Sequence, residues 1–420
     1  MLPLERTSLA PMAEALVGGK VQARQQCSSS GVWDDDAVLA KQQELVAATR
    51  GDAATGVLIV AGCDFPQQGT PAVGVARQYG GPLGRVAHGQ ASVVACYASA
   101  RGYTLVDRRL SLPEDWLSAA YRERWARGGI PAATVFPTRT ARAWGLLATL
   151  HARGVLPFRW VTGDEHCGNT PLLLEQLAAA GLAYFLAIPH NVRMWPDRPI
   201  TAVPAATGRQ GHPHPRVRRA PGAPGARRVD ALAAQLPPRA WRVAQMQDGS
   251  KGPLVAAVAF VRAVAVRDGL PGPDVWVVFR RTRDTTRERK VYVCNAAADT
   301  APATLVWLRG LRWPSAQASK EAKDALGRDH DEGRGGRGGH HHTTLTLLAQ
   351  HFLMRLRCRL GGAGPGTHHP PGAAAPARDA SGAGPRRRRA ARVHPGGAAP
   401  QLRRCALPPS APPAAVTAPR

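Results

Sequence analysis

The chain has 420 residues, which is long enough for two or three domains with substantial cores. Its 55 Lys and Arg against 29 Asp and Glu give a formal net charge of +26, which calls for an anionic partner, most simply nucleic acid, or for a solvated disordered segment. There are seven cysteines without a CxxC spacing, which argues against a zinc knuckle and a disulfide scaffold. Glu5 and Glu14 interrupt the N-terminus, which argues against a signal peptide, and the lack of a run of about 18 apolar residues argues against a membrane span. We therefore expect a reduced, cytoplasmic protein.

Residues 1–52 are predicted to form a small helical N-terminal domain. Leu9, Met12 and Leu16, and later Leu39 and Val46, recur at helical spacing, and no strand-like alternation interrupts them. With the charge of the chain, this segment is interpreted as a DNA-binding domain.

Residues 53–189 have the pattern of an α/β domain. Short apolar runs predict strands at residues 57–60, 92–97, 103–110, 158–162 and 184–188. Helical spacing predicts helices at residues 114–127, 138–153 and 172–180. Three adjacent strands followed by helix, strand, helix, strand is the order of an RNase H-like mixed sheet with both faces covered, although several other α/β folds begin similarly.

The next two segments are predicted to complete this fold. Residues 190–299 are interpreted as an insertion, with a loop rich in Pro, Arg and His up to about residue 250 and strands at 254–266, 275–279 and 291–293. Residues 300–360 are predicted to form C-terminal helices, one of which Pro314 should break or kink. An amphipathic helix at 342–360 carries one apolar face, which comprises Leu345, Leu348, Phe352, Leu356 and Leu360.

Residues 361–420 differ sharply in composition from the rest. This tail contains nine Arg, no Lys and one acidic residue, Asp379, so it contributes +8 of the net charge. Gly, Ala and Pro dominate it, and such a segment cannot bury enough apolar surface to fold, so we expect it to be disordered. Either nucleic-acid binding or the composition of a GC-rich genome accounts for its arginines.

A series of motifs along residues 5–355 carries a family resemblance. They are Val57-Leu58-Ile59-Val60, Phe65-Pro66-Gln67-Gln68-Gly69, residues 73–79, Tyr97-Ala98-Ser99, residues 105–110 with Leu112-Pro113, residues 160–165, Lys251-Gly252-Pro253, Cys294-Asn295-Ala296 and Arg312-Trp313. In this order and spacing the chain resembles the bacterial insertion-sequence transposases of family seven-oh-one, which belong to the DDE, RNase H-like superfamily. The tail has no counterpart in that family.

The resemblance implies DNA transposition by metal-dependent cleavage and transfer of DNA strands. In this superfamily one Asp ends the first strand, a second Asp follows the fourth, and a Glu lies on a late helix. Together they hold two Mg²⁺ ions that activate a water and stabilise the leaving oxygen. Asp164 matches the second position and is expected to be a catalytic metal ligand. The alternative is that it only caps the helix that follows its strand.

The first position departs from the family pattern. Where the family has two acidic residues followed by Thr and Gly, this chain has Ala61-Gly62-Cys63-Asp64. Gly62 is the better-aligned position and cannot bind a metal. Asp64, two residues further on, is the candidate catalytic replacement.

The third position departs as well. The family pattern is Arg, three residues, Glu, six residues, Lys; Arg312 and Lys323 match it and are expected to contact DNA phosphates, but Ala316 replaces the Glu. Glu321 is the nearest substitute, although its spacing puts it on a different face of the helix. Residues 314–319 also lack the large apolar side chains expected of a helix that packs on a core.

Nearby, His340–His342 are either metal ligands or, as we expect, solvent-exposed residues of a loop.

Three functional hypotheses follow. The first is an active DDE endonuclease that uses Asp164, Asp64 and Glu321 with Mg²⁺. The second is a DNA-binding relic or repressor, without catalysis, that occupies transposon ends. The third is a decayed reading frame. Double-stranded DNA is the expected partner in the first two, and a homodimer is an option in both.

Overall fold

The computed structural model describes residues 21–29, 31–66, 72–80, 85–130, 137–203, 216–249, 252–282, 288–328 and 335–360. The segment 1–20 and the predicted basic tail at 361–420 lie outside these residues. Within them the chain has a mixed α/β fold in which helices cover both faces of one long sheet, consistent with the predicted RNase H-like fold.

The sheet combines strands from the predicted core and from the predicted insertion. Its strands are β1 (Val57–Pro66), β2 (Val75–Gly80), β3 (Arg85–Ser99), β4 (Gly102–Ser111), β5 (Trp160–Gly163), β6 (Ala183–Ile188), β7 (Arg193–Trp195), β10 (Arg227–Arg228), β11 (Arg242–Gly249), β12 (Gly252–Arg267), β13 (Leu270–Thr282) and β14 (Arg289–Cys294). Two shorter strands, β8 (Thr201–Ala202) and β9 (Arg218–Arg219), pair only with each other.

The strand order is β10-β7-β12-β13-β14-β6-β5-β1-β3-β2, with β11 on β12 and β4 on β3. Strands β1, β5 and β6 are parallel, and the other pairings are antiparallel. Val57 is opposite Trp160 and Val60 is opposite Gly163, so the first strand lies beside the strand that Asp164 follows. The strands predicted at 275–279 and 291–293 are present in β13 and β14, which pair with each other.

The helices of the described residues divide between the two faces of the sheet. They are α1 (Val21–Ser29), α2 (Asp35–Arg50), α3 (Arg122–Gly128), α4 (Arg139–Arg153), α5 (Glu165–Gly168), α6 (Pro171–Ala179), α7 (Val229–Ala234), α8 (Pro302–Gly310), α9 (Arg312–Asp324) and α10 (Gly336–Arg359). One core contains α4 and α6, and the opposite core contains α8, α9 and α10. None of these described helices is long and apolar enough to cross a membrane.

Several predicted elements differ from those observed. The predicted helix that contains Pro314 begins only at Arg312, because two helices, α8 and α9, are separated at Leu311. Pro314 is the third residue of α9, where a backbone N–H has no acceptor within the helix, so it is tolerated there instead of breaking the helix. The predicted helix at 114–127 is reduced to two 3-10 turns and the short α3, and strand β2 was not predicted.

Helix α2, from the predicted N-terminal domain, packs on β4 and α10. The Gln42 amide donates to the carbonyl oxygens of Leu105 (2.9 Å) and Leu347 (3.2 Å), and the Gln43 amide donates to that of Val106 (3.0 Å). Both glutamines are buried. Buried side chains that donate to main-chain carbonyls of other elements hold α2 in one position on the sheet.

Helix α10 turns its more apolar face outwards. Of the predicted apolar face, Phe352 is 63% exposed and Leu360 is 77% exposed. The buried face instead carries Thr344, Gln350 and His351 together with the apolar Leu347 and Met354. The apolar pattern therefore identified the helix correctly but not the face that packs on the core.

This arrangement predicts unequal effects of two substitutions in α10. Leu347→Ala should lower the free energy of unfolding by about 2–5 kcal/mol, because Leu347 is fully buried. Phe352→Ala should change it by less than about 0.5 kcal/mol, because the ring is mostly in solvent. Urea denaturation of both proteins measures the difference. Equal losses would mean that the exposed face of α10 also packs against something.

His351 predicts a dependence of stability on pH. Its ring is 3% exposed, and neither nitrogen has a hydrogen-bond partner among the described residues. Burial, with Arg50 and Arg355 nearby, lowers its pKa to about 4. His351 in the unfolded chain therefore becomes protonated near pH 6.5, whereas in the folded chain it stays neutral until about pH 4. The free energy of unfolding should fall as the pH drops from 6.5 towards 4, by about 1 kcal/mol per pH unit for this group.

The matched variant is His351→Leu, which removes the titrating group and retains an apolar side chain. Its stability should fall less steeply than that of the parent between pH 6.5 and 4, while the two proteins should have parallel profiles above pH 7. Chemical denaturation at each pH gives the comparison. Parallel profiles over the whole pH range would show that folding does not lower the pKa of His351.

Candidate functional site

A cavity of about 370 Å³ lies where the middle of β1 and the end of β5 meet helix α9. Asp164 lines it from the end of β5, Gly62 and Ala61 line it from β1, and Ala316 lines it from α9. These are the positions at which the resemblance expects the three carboxylates. The fold therefore brings the three predicted positions together, with one carboxylate among them.

Asp164 has two structural roles at this place. It directly follows β5, and its Oδ1 accepts hydrogen bonds from the backbone N–H groups of His166 (3.1 Å) and Cys167 (3.2 Å) at the start of α5. It is thus the capping residue of the alternative interpretation, and it also lines the cavity. The two interpretations are compatible, since Oδ1 alone accepts both bonds.

The two faces of β1 distinguish Ala61 from Gly62. Ile59 and Cys63 pack in the core that contains α9, and Ala61 packs against that same core. A β-carbon at Gly62 would instead point away from α9, 3.2 Å from a guanidinium nitrogen of Arg139. Successive residues of a strand point to opposite faces, so a side chain at position 61, not at 62, would face α9.

The register of β1 and β5 supports the same assignment. Val60 is opposite Gly163, and one further step places Ala61 opposite Asp164. Side chains opposite each other on neighbouring strands project on the same face of the sheet. Position 61 is therefore the neighbour of Asp164 on the cavity side, which the alignment of the motif alone did not show.

Asp64 lies on the other face of β1, with Gly62. Its carboxylate is 8% exposed and pairs with Arg139 of α4, with Oδ1 3.2 Å from the guanidinium. It does not line the cavity that Asp164 lines. In the described structure Asp64 therefore pairs with a positively charged side chain on the opposite face of β1, and it does not supply the metal ligand that the hypothesis of an active enzyme needs.

Helix α9 packs closely on the sheet through small side chains. Ala318 and Ala322 are fully buried, and Ser315 is 2% exposed. Small residues let the helix backbone approach the strands. The lack of large apolar residues at 314–319, which suggested that this helix would not pack on a core, therefore does not prevent its packing. Ala316 is exposed and lies on the cavity side of the helix.

Glu321 lies on a different face of α9, away from the cavity. Its carboxylate accepts hydrogen bonds from Arg357 (2.7 Å), Gln317 (3.1 Å), Tyr103 (3.3 Å) and Gln350 (3.4 Å). Burial, together with the negative charge of Glu321, raises the pKa of the Tyr103 hydroxyl well above its usual range. Glu321 thus joins α9 to α10 and β4, and it does not lie beside Asp164.

A family model described as DDE superfamily endonuclease matches residues 1–253. The chain belongs to the DDE superfamily endonucleases. The match covers β1 and Asp164 and ends before α9. No curated protein matches the chain.

DDE superfamily endonucleases typically use divalent metal ions and act on DNA. An active member therefore needs side chains in the cavity that can bind such ions. Two carboxylates line it, Asp164 and Asp324, and so do two ammonium groups, those of Lys320 and Lys323. Among the described residues, no group of three or more His, Cys, Asp or Glu could hold a metal ion. The residues present do not fit a pair of divalent cations.

The two predicted DNA-contacting residues of this DDE protein are placed differently. Lys323 lines the cavity, and its Nζ donates to the backbone carbonyl oxygen of Asp64 (3.0 Å). Arg312 begins α9, and its side chain lies outside the described part of the structure. Sequence reasoning missed Lys320 and Asp324, which follow Ala316 at intervals of four residues and hence lie on its side of the helix.

The three consecutive histidines lie in helix α10, so the expectation of an exposed loop is wrong. His341 is 1% exposed and contacts the Asp35 carboxylate (2.8 Å) and the Gly31 carbonyl oxygen (2.9 Å). Burial lowers the pKa of His340 to about 4. His342 contacts the Gly327 carbonyl oxygen. Packing between α10 and its neighbours accounts for these residues.

Proposed function

We propose that this DDE protein is a transposase-like protein from an insertion sequence, of the family seven-oh-one type, which binds duplex DNA but has lost metal-dependent strand cleavage. The cavity carries the proposal: of the three positions that converge there, two hold Ala61 and Ala316, and Asp164 remains. As a DNA-bound protein it would act at the nucleoid in the cytoplasm, and a homodimer would hold two DNA ends together.

Electrostatics explains why the loss matters. Two divalent cations held about 3.5–4 Å apart repel each other strongly, and carboxylates normally offset that repulsion. Here Lys320 and Lys323 add positive charge to the same cavity. Asp164 and Asp324 together supply two negative charges against four from the metals, so the second cation should not bind.

DNA binding is supported by the charge of the chain and by its family. The formal charge of +26 favours a polyanion, because neutralising phosphates releases counterions. DDE superfamily endonucleases, the family to which the chain belongs, typically act on DNA. Binding without cleavage would suit a repressor that occupies transposon ends.

A cleavage assay tests the proposal. Purified protein should produce no measurable nicks in transposon-end DNA with Mg²⁺ or Mn²⁺, while the same preparation binds that DNA with affinity that falls steeply with salt. Asp164→Ala is the control for contaminating nuclease. Nicking that disappears in Asp164→Ala would show an active enzyme and would return Asp64 and Glu321 to the list of candidate ligands.

A further inference from the structure

We propose that a second cavity, on the other face of the sheet, binds a small aromatic anion. This cavity has a volume of about 340 Å³ and lies between α6 and the strands β6, β7, β12, β13 and β14. Its apolar lining belongs to the core that contains α4 and α6, whereas the cavity beside Asp164 adjoins the opposite core. The two cavities are therefore separate, and this inference does not depend on DNA binding.

The size and lining of the second cavity suit an organic molecule better than a single ion. Its volume corresponds to roughly eleven water molecules at about 30 Å³ each, and small-molecule sites typically measure about 300–1,000 Å³. Asn169 and Arg193, which also line it, are exposed, so the cavity is open to solvent and a ligand can enter. An aromatic body would displace water from its apolar side chains, which favours binding. These side chains are Leu174, Ile188, Val192, Met194, Val275 and Val293.

Tyr184 and Arg267 give the cavity a polar, positively charged end. Tyr184 is 1% exposed; burial raises the pKa of its hydroxyl to about 12, and the nearby charge of Arg267 opposes that rise. The hydroxyl therefore stays protonated at neutral pH and can donate a hydrogen bond. Among the described residues that line this cavity there is no Asp or Glu. The charge at this end favours a ligand that carries an anionic group.

Arg267 is held at the wall of the cavity and is only partly neutralised. Its Nη1 donates to the carbonyl oxygen of Val266 (3.0 Å), and its Nε lies 3.0 Å from the carboxylate of Glu175 on α6 without making a hydrogen bond. Glu175 is 57% exposed and does not line the cavity. Solvent weakens the interaction of such an exposed carboxylate with its partner. An anion in the cavity would therefore compete with Glu175 for the guanidinium.

Dye binding to the full chain tests this site. Anilinonaphthalene sulfonate has an aromatic body and one negative charge, and N-phenylnaphthylamine has the same rings without the charge. Fluorescence titration should show one site for each dye. The sulfonate should bind about tenfold more tightly at low salt, because only it can interact with the charge of Arg267. Equal affinities of the two dyes would overturn the preference for an anion.

Ala265→Leu tests whether the dyes occupy this cavity. Ala265 lines it from β12 and packs in the core on that face, so a larger side chain would fill part of the space. Both dyes should bind at least about tenfold more weakly. The melting temperature should be unchanged or higher, because the added carbons enter empty space. Unchanged dye binding would overturn the site, and so would a lower melting temperature, which would show that no such space exists.

Substitutions of the ion pair separate ligand binding from a purely structural role of Arg267. Arg267→Met should weaken binding of the sulfonate about tenfold and leave binding of the neutral dye unchanged. Glu175→Gln should instead strengthen binding of the sulfonate about threefold, because it removes the competing carboxylate. Glu123→Gln is the matched control, because it breaks an exposed ion pair with Arg127 and does not touch the cavity; its dye binding should equal that of the parent. Equal losses in Arg267→Met and Glu175→Gln would show that only the ion pair matters, and would overturn Arg267 as the contact of the anion.

Discussion

The double variant Ala61→Asp and Ala316→Glu is expected to nick transposon-end DNA in the presence of Mg²⁺. Both positions line the cavity with Asp164, and position 61 lies on the face of β1 that meets α9. Restoring two carboxylates supplies the charge that a second cation requires. Metal activation contributes several kcal/mol to lowering a barrier, so the nicking rate should rise about 10³-fold or more above that of the parent.

The matched control is Gly62→Asp with Ala316→Glu, which should remain inactive. A carboxylate at position 62 would point towards Arg139, which already pairs with Asp64 on the far face of the strand. Adding Asp164→Ala to the first variant should abolish its nicking. Activity in the Gly62 variant but not in the Ala61 variant would show that the assigned face of β1 is wrong.

Asp35→Ala is expected to lower the free energy of unfolding by about 3–5 kcal/mol. Asp35 pairs with Arg108 (3.3 Å), contacts the His341 ring (2.8 Å) and accepts a hydrogen bond from Thr344 (2.6 Å). Arg108 is only 4% exposed, and burial lowers its pKa despite the nearby carboxylates. Removing Asp35 leaves a buried positive charge without its partner, which is strongly destabilising.

Asp36→Ala is the control for this substitution. Its side chain is 62% exposed and lies 3.8 Å from Arg109, so its loss should change the free energy of unfolding by less than about 1 kcal/mol. Urea denaturation at neutral pH measures both variants. Similar losses in the two would show that Arg108 finds another partner or reaches solvent when Asp35 is removed.

The sequence alone was sufficient for the features that depend on local pattern. The apolar runs at β1, β5 and β6 and the helical spacing of α4 and α6 predict elements that the structure contains. The motif that ends at Asp164 places a carboxylate directly after a buried strand, and that position becomes a wall of the cavity. Such features are predictable because strand and helix periods are properties of the chain itself.

The face that each element presents depended on its neighbours. The apolar stripe of α10 predicted burial of Phe352, but the helix buries Gln350 and His351 instead. Thr104 donates to the Gln350 amide oxygen (2.6 Å), so a hydrogen bond to β4 helps to hold the polar face inwards. A pattern of hydrophobicity cannot anticipate such a bond, because its partner lies 246 residues away in the chain.

The candidate site shows the same division. From the sequence we could name Asp164 and see that the first and third carboxylates were missing, because those are statements about which residues occur in a motif. Whether Ala61 or Gly62 faces α9, whether Asp64 reaches the cavity, and which partners hold Glu321 were decided by packing across the two faces of the sheet. A shift of one residue along a strand reverses the face of its side chain, and only the helix packed on that face determines which of the two positions belongs to the site.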